Sequence, residues 1–362
     1  MTTIKDVAKH AGVSTGTVSM VMNNNPAVKL ETRMRVLQAV EELHYTPNQY
    51  ARSLVTQRRN VVGVVRTVVT SKKDAYRGGY HFDELPDTYL ADMLDSIVAE
   101  VTRMRYSMLF DVLAWGEEDV LQDAELPAMA QDGRVDGLIW VSGLMSDAHK
   151  QLLVRSHLPV VTVGSRFDCF DWVDTDPEMG IYMMTKYVIS CGHRKIAFIN
   201  GLNNTQTAGH KNVGFLRAME EAGLEVDDRL MDHAGYSGIG GYNAMKRIWE
   251  RSREATAVVT ALDILAVGVV HFLRDQGLSV PDDVSVTGYE DGLLTEHMIP
   301  RLTSVNTKKS ELGRHASRIL VNRIENPRAK PVRVTILPEL VIRESVRDLR
   351  EPNHIQTDTP LR

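Results

Sequence analysis

Apolar residues recur at helical spacing along the first 45 positions of the chain. A first helix is predicted by a stripe at i, i+3, i+4 and i+7, formed by Ile4, Val7, Ala8 and Ala11. Thr3 and Asp6 have the spacing of a capping box at its start, and Gly12 is a typical stop. A third helix is predicted near 31–43 by the stripe Val36, Leu37, Val40 and Leu43.

The second predicted helix has two faces of different character. Ser14 can cap its start, and one side is formed by Val18, Val21 and Met22. At the helical step of about 100° per residue, the other side holds Thr15, Gly16, Ser19, Met20 and Asn23. That side carries no charge, which suits close approach to base edges in a DNA major groove. The three helices together predict a helix-turn-helix with a supporting third helix.

Beyond residue 60 the pattern changes to short β-branched runs separated by helical stretches. The predicted strands are Val61 to Val65, Ser107 to Val112, Gly137 to Val141, Pro159 to Val163, Lys195 to Asn200, Ala257 to Thr260 and Ser285 to Tyr289. This alternation is typical of parallel sheets covered by helices. A length of 362 residues fits one small and two larger packed units.

The net charge of −5 conceals an asymmetry along the chain. Residues 1–60 carry a net +4, and the remainder carries −9. A basic unit on an acidic body suits a nucleic-acid reader, because phosphate contacts supply most of the non-specific affinity. A small basic unit can equally be a solvated surface, so charge alone leaves DNA binding open.

Charged residues argue against a secretory signal peptide and against a membrane-spanning helix. Lys5, Asp6 and Lys9 stand where a secretory signal needs an apolar run, and no stretch reaches about 18 uncharged apolar residues. We therefore expect the protein in the cytoplasm, in association with the nucleoid.

We find no set of residues that predicts catalysis. The only cysteines are Cys169 and Cys191, so neither a disulfide framework nor a cysteine-rich zinc site is expected, and Cys191-x-His193 fits a turn into a strand. The glycine run 235–241 lacks the ending of a phosphate loop and fits a turn into a helix near Tyr242. We expect no metal, no cofactor and no enzymatic activity.

Several motifs resemble the headpiece and hinge of the LacI/GalR (lactose-repressor type) family of bacterial transcription regulators. They are Ile4-Lys5-Asp6-Val7-Ala8, Ala11-Gly12-Val13-Ser14, Thr17-Val18-Ser19, Tyr45-x-Pro47-Asn48 and Ala51-Arg52-Ser53-Leu54. Further along, Cys191 to Ile199, Pro281 to Tyr289 and Leu302 to Val305 are similar to landmarks of the family's two-lobed core. The resemblance covers nearly the whole chain.

The resemblance implies an all-α helix-turn-helix headpiece at 1–46, a hinge at 47–59 and a core at 60–348. The core would be α/β, two-lobed and similar to periplasmic binding proteins, with parallel sheets flanked by helices. Its first lobe is expected at about 60–163 and 293–325, and its second at about 164–290 and 327–345. The polar tail 349–362 has no leucine heptads, so a homodimer is expected.

The resemblance also implies which residues meet double-stranded, pseudo-palindromic operator DNA. Thr15, Gly16 and Met20 occupy the positions that read bases in the family. Met20 stands where the family has an Arg. Phosphate contacts are expected from Ser14, Thr17, Ser19, Asn23, Asn48 and Arg52. Ala51 and Leu54 would belong to a hinge helix that orders on DNA, with Leu54 wedged into the minor groove. A plain flexible linker is the alternative.

Lys29 replaces the usual Ser cap of the third helix, whose start is therefore expected to fray.

A small-molecule effector is expected between the lobes. The candidate effector residues are Tyr89, His210, Lys211, Tyr236, Asp263 and Glu290. The family's pocket Arg falls on Gly209, and Leu262 replaces an Asn, so a standard monosaccharide pose is not assumed. The long connection from Thr67 to Pro86 is either a lid over a larger ligand or a disordered loop.

These observations predict a transcriptional regulator, most simply a repressor, whose operator affinity responds to a sugar, oligosaccharide or glycoside. The alternative is a carbohydrate-binding protein of the same fold without regulatory activity. An α/β enzyme is a weaker rival, because no acid/base or phosphate-binding set accompanies the fold.

Overall fold

The computed structural model describes residues 2–22, 25–45, 58–70, 88–116, 127–141, 145–203 and 205–350. The chain divides into two compact units, residues 1–60 and residues 61–362. Some positions singled out above lie outside the described residues: Asn23, Asn48, Ala51, Arg52, Leu54, positions 71–86 of the long connection and positions 351–362 of the tail.

Three helices form the first unit: α1 (Ile4–Ala11), α2 (Thr15–Met22) and α3 (Leu30–Glu42). The predicted capping box is confirmed, since the backbone N–H of Thr3 donates to the Asp6 carboxylate at 2.9 Å. Gly12 ends α1 in the left-handed region at φ +64°. The Ser14 hydroxyl accepts from the Thr17 N–H at 3.1 Å, which satisfies one of the free donors at the start of α2.

The predicted buried stripe of α3 is wrong at Leu37, which is 48% exposed. Ala39 is buried instead, next to Val36, and Val40 and Leu43 pack partly against the same core. The helix is therefore turned so that its smallest apolar residue meets α1 and α2. Lys29 makes no side-chain capping bond at the start of α3, as expected from the missing Ser.

The first lobe of the second unit is a six-stranded parallel sheet. Its strands are β1 (Val61–Thr70), β2 (Ser107–Gly116), β3 (Gly137–Val141), β4 (Val160–Val163), β5 (Asp171–Thr175) and β11 (Arg333–Ile336), in the order β11-β5-β4-β3-β1-β2. Helices α4 (Thr88–Arg103) and α12 (Lys309–Glu325) pack on one face. Helices α5 (Ala128–Gln131) and α6 (Asp147–Ser156) cover the other.

The second lobe is a four-stranded parallel sheet. It has the order β7-β6-β8-β9, formed by β6 (Ile196–Asn200), β7 (Met231–His233), β8 (Ala257–Thr260) and β9 (Ser285–Thr287). Helices α7 (Pro177–Ser190) and α8 (Gln206–Glu221) lie on one face. Helices α9 (Gly238–Arg251) and α10 (Asp263–Asp275) lie on the other. A short helix α11 (Leu293–His297) and an antiparallel pair, β10 (Ser304–Asn306) and β12 (Glu339–Val341), complete it.

The sheets divide the chain differently from the expected lobe boundaries. β5 pairs with β4, and β11 pairs with β5, so both belong to the first lobe although they were expected in the second. Conversely, α11 and β10 belong with the second lobe, where Thr303 bridges Thr287 at the end of β9. The reason is that the chain crosses between the lobes more than once, and the crossing points carry no compositional signal. Among the described residues, no helix is both long and apolar enough to cross a membrane.

Candidate functional sites

The exposed side of α2 brings the predicted base-reading residues together. All four of these residues are exposed to solvent: Thr15, Gly16, Ser19 and Met20. The exposed fraction of Met20 is 42%. Val18 and Val21 anchor the opposite side in the core of the unit. The result is a smooth, uncharged helix face on a rigid support, which is the shape that fits a major groove.

Lys211 provides a buried cation at the junction of the two lobes. It lies on α8, is 5% exposed, and donates from Nζ to the Ala261 carbonyl at 2.6 Å. The ammonium also lies 3.7 Å from the ring centre of Tyr289. Among the described residues no carboxylate forms an ion pair with it. Burial lowers the pKa of Lys211 to about 8, and the more distant charges of Glu290, Asp263 and Asp174 oppose that shift.

An Arg–Asp pair of the first lobe was missed by sequence reasoning, and its carboxylate acts electrostatically on this cation. Arg166 Nε donates to Asp174 Oδ2 at 2.9 Å, and the guanidinium lies 5.3 Å from the Trp172 ring. Arg166 Nη2 is buried and makes no hydrogen bond. Burial raises the pKa of Asp174 to about 6, against the attraction of Arg166 and His210. The pair was missed because Asp174 lies on β5, a strand that the apolar pattern did not predict.

Asp263 is held by bonds of its own. Its two carboxylate oxygens accept from Ser304 Oγ at 2.6 Å and from the Gly292 N–H at 2.8 Å. The side chain is buried, and burial raises its pKa to about 7. The bond from the Gly292 N–H therefore ties the loop that follows β9 to Asp263 at the start of α10.

The other predicted effector residues lie around this junction. Tyr89 is partly buried on α4, and His210 is exposed on α8, close enough to Asp174 to lower its pKa. Tyr236 is 46% exposed, beside an open depression of about 370 Å³ lined by Leu202, Asn203, His233, Ala234 and Gly235. Glu290 is half-buried, three positions after the end of β9.

Two family models match the chain. One describes bacterial regulatory proteins of the lacI family and matches residues 3–48; the other describes a periplasmic binding protein-like domain and matches residues 185–346. The HTH-type transcriptional repressor PurR of Erwinia tasmaniensis is 34% identical over 352 residues, which is 96% of this chain and 98% of that protein.

The chain belongs to the LacI family.

Solved structures agree with this LacI-family assignment. The complex of the transcriptional regulator CelR with cellobiose has a TM-score of 0.68 at 28% identity, covering 95% of this chain and 100% of that one. The lac repressor dimer bound to operator and the anti-inducer ONPF has a TM-score of 0.77 at 21% identity, covering 96% and 99%. The expected fold, and the expected function of a DNA-binding transcriptional repressor controlled by an effector, are confirmed at the level of the family.

In this LacI-family protein the cation of the junction is Lys211 rather than a residue at position 209. Gly209 is exposed on α8, and a Cβ added there would meet nothing within 4 Å. Lys211, two positions later on the same helix, turns inward to Tyr289. A positive charge is therefore buried two positions after Gly209 on the same helix.

The two remaining motifs have structural explanations. Both ring nitrogens of His193 are hydrogen-bonded, Nδ1 to Thr256 Oγ1 at 2.9 Å and Nε2 to the Arg347 carbonyl at 3.0 Å. The glycine run leads into α9, which begins at Gly238, earlier than expected, with Ser237 as its cap. No group of three or more His, Cys, Asp or Glu in the part of the chain described here could hold a metal ion.

Proposed function

We propose that this protein is a dimeric repressor that reads a pseudo-palindromic operator through α2 and binds a hydroxyl-rich effector between its lobes. It would act in the cytoplasm, on the DNA of the nucleoid. The observation that carries the effector assignment is the junction itself, where the buried Lys211 and the unpaired Nη2 of Arg166 lie among carboxylates.

A carbohydrate fits this mixture of charges because each hydroxyl both donates and accepts. Arg166 and Lys211 offer donors, while Asp174 and Glu290 offer acceptors. The exposed ring of Tyr236 can stack on the apolar face of a sugar. A mono- or oligosaccharide can therefore form hydrogen bonds to groups of both charge signs, whereas an apolar ligand can form none.

The test of the effector site is a thermal-shift screen of mono- and disaccharides on the full chain. A sugar that binds the native state raises the unfolding temperature. Lys211→Met should abolish that rise, and Lys186→Met is the matched control, since Lys186 lies exposed on α7 next to Glu221. The effector proposal is wrong if no sugar of the panel raises the temperature, or if Lys211→Met responds like the unaltered protein.

On the DNA side, we propose that Thr15, Gly16 and Met20 read base edges, while Ser14, Thr17, Ser19, Asn23, Asn48 and Arg52 contact phosphates. Met20 cannot make the two-pronged contact of an Arg to guanine, but its apolar end can pack on a thymine methyl. In vitro selection of bound sequences should therefore recover sites without the guanine that a family Arg demands. Recovery of that guanine would show that Met20 does not determine the preference.

A gel-shift series distinguishes the regulator from a carbohydrate-binding protein of the same fold. A sequence-specific complex that weakens steeply with salt, and changes when the sugar found by the screen is added, supports the regulator. A protein that binds the sugar but forms no specific DNA complex would support the alternative.

A further inference from the structure

One side chain joins the loop after β9 in the second lobe to helix α4 in the first. Lys309, the first residue of α12, is 6% exposed. Its Nζ donates to the carbonyls of Glu290 at 3.1 Å and Asp291 at 3.2 Å, and it pairs with Asp92 Oδ2 on α4 at 3.0 Å. An ammonium has three N–H donors, so these three oxygens use all of them.

The loop reaches this cation only through an unusual backbone. Glu290 has φ +116° and Asp291 has φ +53°, a region that residues with a side chain seldom adopt. Two consecutive left-handed residues turn both carbonyls toward Lys309. Strain of this kind persists only where surrounding contacts enforce it.

The amides of the same loop are fixed from the other side. The N–H of Glu290 donates to the Val305 carbonyl at 2.9 Å, and that of Gly292 donates to Asp263 at 2.8 Å. The loop is therefore clamped between the second-lobe core, which holds its amides, and Lys309, which holds its carbonyls.

We propose that Lys309 is a positioning residue that couples the conformation of loop 290–292 to helix α4 across the lobe junction. The link to regulation rests on the proposed function, in which Glu290 on this loop and Tyr89 on α4 both border the effector. A ligand that moves Glu290 displaces the two carbonyls, the ammonium follows them, and Asp92 transmits the movement to α4.

Hydrogen–deuterium exchange of the full chain, followed by mass spectrometry, tests the coupling without any effector. Lys309→Met should increase exchange at the loop amides by about tenfold, since it removes charge-assisted bonds that hold the loop. Asp92→Asn changes only the first lobe, yet it should also increase exchange at 290–292. Lys308→Met is the matched control, because Lys308 pairs with the exposed Glu339 and should leave the loop unchanged.

Two results would overturn the proposal. One is unchanged exchange at the loop in Lys309→Met, and the other is an effect of Asp92→Asn that stays within α4, as a purely local ion pair would give. If Lys309→Met does not fold, Asp92→Asn still decides, because its carboxylate is about half exposed and lies outside the core. Because no sugar is added, failure of the coupling is separate from failure of the effector screen.

Discussion

Lys211 combines a full positive charge with almost no access to water. Burying a charge without an ion partner costs free energy, and a carbonyl and an aromatic face compensate for only part of it. Residues kept at such a cost commonly belong to binding sites, where stability is exchanged for function.

We expect Lys211→Met to stabilise the effector-free protein while it removes the response to sugar. The gain in the free energy of unfolding should be about 1–3 kcal/mol, because methionine fills a similar volume without the desolvation cost. Denaturant unfolding at neutral pH measures it. Lower stability in the variant would mean that the contacts to Ala261 and Tyr289 outweigh the burial of the charge.

Asp263 predicts a particular pH dependence of stability. Burial raises the pKa of Asp263 in the folded protein to about 7, well above its ordinary value, so the folded protein holds a proton that the unfolded chain releases. The associated stability is present at low pH and is lost as the pH rises through 7. The free energy of unfolding of the unaltered protein, relative to Asp263→Asn, should fall by on the order of 2 kcal/mol between pH 5 and 8. Parallel pH profiles for the two proteins would contradict this.

Some features of individual residues could be predicted from the sequence, and others could not. The capping box at Thr3 and the exposed face of α2 follow from local spacing, and both were predicted. Leu37 and Arg166 depend on how an element is rotated or on which strands pair, and local spacing contains neither. Lys211 was a candidate from the sequence, but its burial and its contact with Tyr289 required the tertiary structure.

At the scale of elements, strands with continuous apolar runs were predicted and polar strands were missed. β3 and β6 are buried along their whole length, whereas β5 alternates and β11 is mostly exposed at the sheet edge. An edge strand buries little apolar surface, so its hydrogen bonds define it rather than its composition.

Helices α9 and α10 approach each other through glycine, which yields a prediction. A Cβ added at Gly268 would lie 1.9 Å from the Gly238 carbonyl oxygen, so Gly268→Ala forces the helices apart. We expect a loss of about 2–4 kcal/mol in the free energy of unfolding.

The matched control is Gly209→Ala, on the open surface of α8. It should leave stability unchanged or raise it by about 0.5–1 kcal/mol, because alanine favours a helix interior. Similar thermal unfolding for both variants would show that the α9–α10 contact tolerates a methyl group.

At the scale of the whole molecule, the proposed function assigns to the hinge the link between lobe orientation and DNA affinity. Leu54→Ala should leave the unfolding temperature unchanged, weaken specific operator binding strongly, and affect non-specific binding little, because only a specific complex would admit the minor-groove wedge. Fluorescence anisotropy with operator and with unrelated DNA measures both affinities. Equal losses on the two DNAs would refute the wedge.

The family and the two-unit organisation were predictable, because the headpiece motifs and the charge asymmetry are local in sequence. The division into lobes was not, since β5 joins the first sheet by pairing with β4, and β11 joins it by pairing with β5 across more than 150 positions of the chain. Lobe boundaries here are a property of strand pairing, and they have no signature in composition.

The position of β11 in the first-lobe sheet also has a consequence during synthesis. The sheet lacks its edge strand until the ribosome has passed Ile336, whereas all three headpiece helices are complete by Glu42. At about 5–20 residues per second, the interval is on the order of tens of seconds. A nascent chain therefore presents a finished DNA-reading surface well before it has a sensor to control it.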